Sequence, residues 1–95
     1  YEDNEKTIAE LKGRIAKTIA FVKTLDAGKI DESANREILF PLGPNKGHMK
    51  GTDYLHHFVL PNFYFHLVTA YDILRDCGVE IGKRDFIGAI PIRVT

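Results

Sequence analysis

Apolar residues at Ile8, Leu11, Ile15, Ile19, Val22 and Leu25 recur every three or four positions, the spacing of a single helical stripe. Lys6, Glu10, Arg14, Lys17 and Lys23 fall off that stripe. The pattern predicts an amphipathic helix over about residues 5–26. Thr7 and Glu10 have the spacing of a capping box, and Asp3 or Asn4 offers a cap one turn earlier. Gly13 costs such a helix about 1 kcal/mol relative to alanine, which a stripe of this length absorbs. Asp26-Ala27-Gly28 is read as its end.

The pattern changes between residues 29 and 51. Glu37-Ile38-Leu39-Phe40-Pro41-Leu42 reads as an edge strand, because a proline within a run keeps it from a central position. Gly43-Pro44-Asn45-Lys46-Gly47 is dense in turn residues, and His48-Met49-Lys50 returns as a short partner strand. The prediction is a small hairpin over about residues 36–50. A glycine-rich phosphate loop is the other reading, but no Gly-Lys-Ser/Thr ending follows and the strand-loop-helix context is missing.

A second helix is predicted from about 52 to 77, capped by Thr52 or Asp53 and stopped at Gly78. Pro61 lies inside it and should kink it, since residue 61 offers no N–H to the carbonyl of His57. At about 100° per residue, Leu55, Val59, Asn62, Ala70, Ile73 and Cys77 fall within roughly 40° of His66. Phe58, Phe63, Thr69 and Leu74 flank that stripe. His57, Tyr64, Tyr71 and Arg75 lie opposite, while Phe65, Leu67 and Val68 make the back of the helix apolar too. A helix apolar nearly all round is buried on more than one side. Two helices and a hairpin cannot cover it, so the expected cover is more helices, from a missing segment or from a second copy in a symmetric dimer. Gly78 to Thr95 mixes glycine with Val79, Ile81, Phe86, Ile87, Ile90, Ile92 and Val94. It reads as an extended tail that docks.

Asn62 and His66 are thus one turn apart on what should be a core face. A buried polar group without a partner costs a few kcal/mol. Three readings follow: a structural hydrogen-bonded pair, a metal site built from facing helices, or a ligand contact without metal. Imidazole is a common ligand for zinc, nickel, iron or manganese, whereas asparagine is a poor one for zinc. His57 and His48 are read as surface residues. Cys77 is about 16 Å along the helix from His66, too far for a nucleophilic pair.

Composition removes several function classes. The 95 residues carry 13 basic and 13 acidic side chains with no long block of either sign, which argues against a nucleic-acid binder. A single cysteine excludes a disulfide within the chain, and no Cys/His zinc spacing is present. There is neither a signal-peptide pattern nor an apolar run of the roughly 18 residues a membrane span needs. A cytoplasmic setting is the expectation.

The stretch DYLHHFVLPNFYFHLVTAYDILRDCGVEIGKRDFIG, residues 53–88, resembles an uncharacterised family within the DinB/YfiT-like superfamily, as do REILFPLG and AELKGRIAKTIAFVKTLD. The resemblance implies an all-α, DinB-like four-helix bundle. Residues 1–95 would be one domain, the C-terminal half of that bundle. It further implies a three-histidine metal site whose last histidine matches His66, twelve residues before Gly78. The position one turn earlier is Asn62 here, not histidine, and the remaining ligand would lie outside this chain. Two functions are therefore expected. One is a DinB-like protein with a degenerate metal or small-molecule pocket around His66 and Asn62. The other is a non-catalytic dimerisation or interaction module with a structural polar pair. The expected partners are a second copy or the missing N-terminal half, with a small-molecule ligand admitted and no reaction assigned.

Overall fold

The computed structural model describes residues 1–95, which divide into two compact units, Tyr1–Ala34 and Asn35–Thr95.

In the first unit, α1 runs over Ile8–Val22. The expected capping box opens it: Glu10 N–H donates to Thr7 Oγ1 (3.2 Å), and the Glu10 carboxylate accepts the N–H groups of Thr7 (2.9 Å) and Lys6 (2.7 Å). Those two backbone donors hold the Glu10 carboxyl below its ordinary value. The helix stops earlier than its stripe suggests, and Asp26 does not end it. The Asp26 carboxylate accepts from Gly28 N (2.8 Å) and Lys29 N (3.3 Å), opening a short α2 over Ala27–Asp31. Ahead of α1 the chain turns back along the helix. Arg14 donates to Asp3 (2.7 Å) and Glu5 (2.9 Å), and its guanidinium stands 5.2 Å from the Tyr1 ring centroid. The hydrogen bond and charge of Arg14 lower the Asp3 carboxyl.

The second unit begins with an antiparallel hairpin, β1 Glu37–Leu42 and β2 Asn45–Lys50, paired from Glu37↔Lys50 to Leu42↔Asn45. Its turn is tighter than expected: only Gly43 and Pro44 connect the strands. Gly43 has φ +58°, and proline cannot follow it with a positive φ. That order suits a type II′ turn, whose twist matches that of the strands. Leu42 and Asn45 flank the turn as a hydrogen-bonded pair, so Pro41 falls at a position whose nitrogen faces away from the partner strand.

The hairpin feeds straight into a long helix, residues 51–76. It comprises α3 (Gly51–Tyr54), a π-helical turn (Leu55–Val59) and α4 (Leu60–Asp76). Neither Thr52 nor Asp53 caps it; the N-cap position is Lys50, without a side-chain cap. The strand ladder acts in its place, with Gly51 N–H donating to Arg36 O at 2.8 Å. The helix answers the expected kink with a π-helical turn beside Pro61. The ladder widens just before it, and Leu60 N–H reaches back five residues to Leu55 O. Gly78, with φ +88°, stops the helix as expected: Val79 N–H bonds Leu74 O and Gly78 N–H bonds Arg75 O, each at 3.0 Å.

The tail is not extended throughout. Lys83–Ile87 forms α5, opened by Gly82 N–H donating to Asp85 Oδ2 at 2.7 Å. The tail does dock, with Phe86 edge-on to Tyr71 at 5.5 Å and 77°.

The all-α class is overturned, and the chain is mixed helix and sheet. The sheet is not peripheral. The one buried hydrophobic residue, Phe40 at 9% exposure, lies on β1 and packs its ring against Tyr54 (5.2 Å) and Phe58 (5.1 Å) of the long helix. Elsewhere large apolar side chains stay open, among them Ile15, Ile19, Phe63, Phe65 and Ile73. No helix is long and apolar enough to cross a membrane.

Candidate functional site

The π turn decides which side chains share a face with His66. One extra residue in a turn rotates everything upstream by about 100° relative to an uninterrupted α-helix. Leu55, expected on the His66 stripe, does not line the groove found there. Phe58, expected at its flank, does. The groove holds about 520 Å³ and is lined by Phe58, Val59, Asn62, Phe63, His66 and Leu67. Asn62 and His66 are its two polar members, brought to one face as their spacing predicts.

Their surroundings differ from the expectation. Neither is in a core: every residue of α4 except half-buried Tyr71 is exposed. The imidazole of His66 meets the ring of Phe65 edge-on, at 5.5 Å and 84°. No hydrogen bond joins it to Asn62. At its upstream end the groove is anchored by Phe58, which stacks on Tyr54 at 5.1 Å and 15° and touches Phe40. The hairpin thus fixes the rotation of the helix at the groove, a link that no local sequence pattern carries. The one hint is Gly47, directly opposite Phe40 in the strand register, where a small residue leaves room for a ring.

The other histidines do not join this site. His48 Nδ1 lies 3.1 Å from Glu37 Oε1 on the exposed hairpin, and His56 and His57 are exposed within the π turn, off the groove. Cys77 is an exposed free thiol. Metal sites of the expected kind take three or more protein donors. The groove offers one imidazole and one carboxamide, and no group of three or more His, Cys, Asp or Glu side chains gathers anywhere in the chain. The residues present therefore do not by themselves fit a metal.

Residues 1–87 match the sequence profile of a domain of unknown function, DUF1993. The chain belongs to the DUF1993 family. No curated protein matches it. Among solved structures, it is similar over its full length to a DinB family member protein from Shewanella denitrificans, with 35% identity and a TM-score of 0.86. It covers 53% of that protein's chain, so this DUF1993 chain spans about half the length of its solved relative. The DinB-like fold expected from residues 53–88 is matched, with the hairpin as part of it.

Proposed function

We propose that this chain is the C-terminal half of a DinB-like domain, and that its long helix supplies one wall of a small-molecule pocket. Asn62 and His66 are the groups that hold the ligand. The observation that carries this reading is the make-up of the groove: four apolar side chains around two polar ones, a turn apart, at mid-helix. That is the usual composition of a ligand site, a greasy wall with a few placed hydrogen-bonding groups. The opposite wall is a second helical layer, which would cover the apolar side chains now open. A metal at His66 is the narrower form of the proposal and needs donors from that second layer.

The test is a set of small aromatic amides and acids, followed through the His66 ring and Asn62 amide resonances. Binding that shifts both groups and is lost in His66→Ala, but not in Tyr64→Ala, is the expected result. No fragment touching either residue would sink the pocket reading. Elemental analysis of the protein purified without chelator, beside His66→Ala, tests the metal form. Near-stoichiometric zinc, nickel, iron or manganese that disappears in the variant would support it, and no metal in either protein would remove it.

A further inference from the structure

The far side of the long helix carries a second hollow. Val68, Tyr71 and Arg75 lie about 140–200° around α4 from His66, at about 100° per residue, so they face away from whatever covers the groove. There α5 comes back against α4 within the same compact unit. About 290 Å³ opens between the two helices, lined by Val68, Tyr71, Asp72, Arg75, Lys83 and Phe86.

Three of these side chains form a chain of contacts that ends in a cation. Phe86 meets Tyr71 edge-on at 5.5 Å, and both rings are half-buried. The Arg75 guanidinium stands 5.8 Å from the Tyr71 ring centroid and donates to the Tyr71 hydroxyl at 3.4 Å. That double contact restricts where the planar guanidinium can point. Lys83 adds a second cation from the start of α5. The ion pairs of this chain are at Arg14 and His48, and neither Arg75 nor Lys83 takes part in one. Even Asp72, which lines the same hollow, pairs with neither. Two unpaired cations beside an apolar, ring-lined wall are the two halves of a site for an anion with an apolar body.

We propose that this hollow binds a small organic monocarboxylate, its carboxylate held between Arg75 and Lys83 and its apolar body against Val68 and Phe86. Charge selects the class. Two cations and one carboxylate leave a single positive charge at the mouth, which matches a carboxylate and not a phosphate dianion. The guanidinium fork donates to both carboxylate oxygens at once. Size sets the body: ligand pockets run from about 300 Å³ upward, so this hollow takes a single ring or a short branched chain. A ligand here touches α4 and α5 together and clamps the tail onto the long helix. The site does not depend on the reading of the groove around His66.

Benzoate is the probe, with benzamide as its neutral isostere and phenyl phosphate as the dianion, each titrated into the isotope-labelled protein. Benzoate should shift the resonances of Tyr71, Arg75 and the amides of residues 83–87, and should slow amide exchange in α5. Benzamide should do neither. Arg75→Gln should weaken benzoate about tenfold and Lys83→Gln about threefold. Asp72→Asn, which removes a like charge, should tighten it about twofold, a gain that a purely structural Asp72 would not give. Lys83 is exposed, so Lys83→Gln keeps the test decisive if Arg75→Gln does not fold. Equal binding of benzoate and benzamide overturns the proposal, and so does binding that survives both glutamine variants. Tighter binding of phenyl phosphate overturns the assignment to a monocarboxylate. Benzoate shifts confined to Asn62 and His66 would also remove this site, while leaving the groove reading in place.

Discussion

The ring of Phe40 fills the space where Gly47 would carry a side chain. A Cβ built on that glycine stands 2.5 Å from the ring Cζ and 2.7 Å from Cε2. The two residues are register partners across the hairpin, and the ring's far side meets Tyr54 and Phe58. Gly47→Ala therefore forces the one buried ring of the second unit out of place. Overpacking of this kind costs about 1–3 kcal/mol, and Phe40→Ala, which removes the ring, about 3–5 kcal/mol. Urea denaturation monitored by the near-ultraviolet circular dichroism of the chain's tyrosines checks both.

The start of α1 should be acid-sensitive in a defined direction. Glu10 accepts two backbone N–H groups and is held below the ordinary glutamate value of 4.5. A carboxylate depressed in the folded state contributes stability above its unfolded value and loses it as pH falls through the folded one. Asp3, lowered by Arg14, adds to the same window. The helical carbon shifts of residues 8–12 should hold from neutral pH to about 4.5 and decline below it. Glu10→Gln should flatten that acid step. Thr7→Ala, which removes the other half of the box, should cost about 1 kcal/mol at neutral pH.

The tail's α5 meets the long helix through a ring pair. Phe86 meets Tyr71 edge-on, a contact worth about 0.5–1.5 kcal/mol beyond the area it buries. Phe86→Ala should release α5, seen as faster amide exchange over residues 83–87 and earlier proteolytic nicking after Gly78. Phe63→Ala, on the groove face, should leave that exchange unchanged.

Gly78 ends the long helix with φ +88°, a backbone conformation that costs a residue with a Cβ about 1 kcal/mol or more. Gly78→Ala should lower the melting temperature and weaken the bond from Val79 N–H to Leu74 O, readable in the Val79 amide shift.

Local pattern was enough for much of this fold. The stripe from Ile8, the Thr7–Glu10 box, the hairpin and the stop at Gly78 are all encoded within a few residues of where they act. What escaped is non-local or depends on helix phase. Nothing near Phe40 says that it meets Tyr54 and Phe58 from the next element, so the hairpin looked incidental and the class looked all-α. Apolar periodicity showed that the long helix has faces to cover, but assigned Leu55 and Phe58 as though the α-helix were unbroken. The Asn62–His66 pairing survived because both residues lie downstream of the π turn. Their exposure did not follow from the pattern, which records what a face is suited to meet and not whether it has met it.

The π turn makes the long helix a coupling with two independent settings. Residues before it are phased by the hairpin's aromatic contact, and those after it carry the groove. Deleting one residue between Leu55 and Val59 would swing the hairpin about 100° around the helix axis while leaving Asn62, His66 and the groove's downstream half undisturbed. A DUF1993 sequence one residue shorter at this point would therefore keep the same polar pair and present its hairpin to a different neighbour.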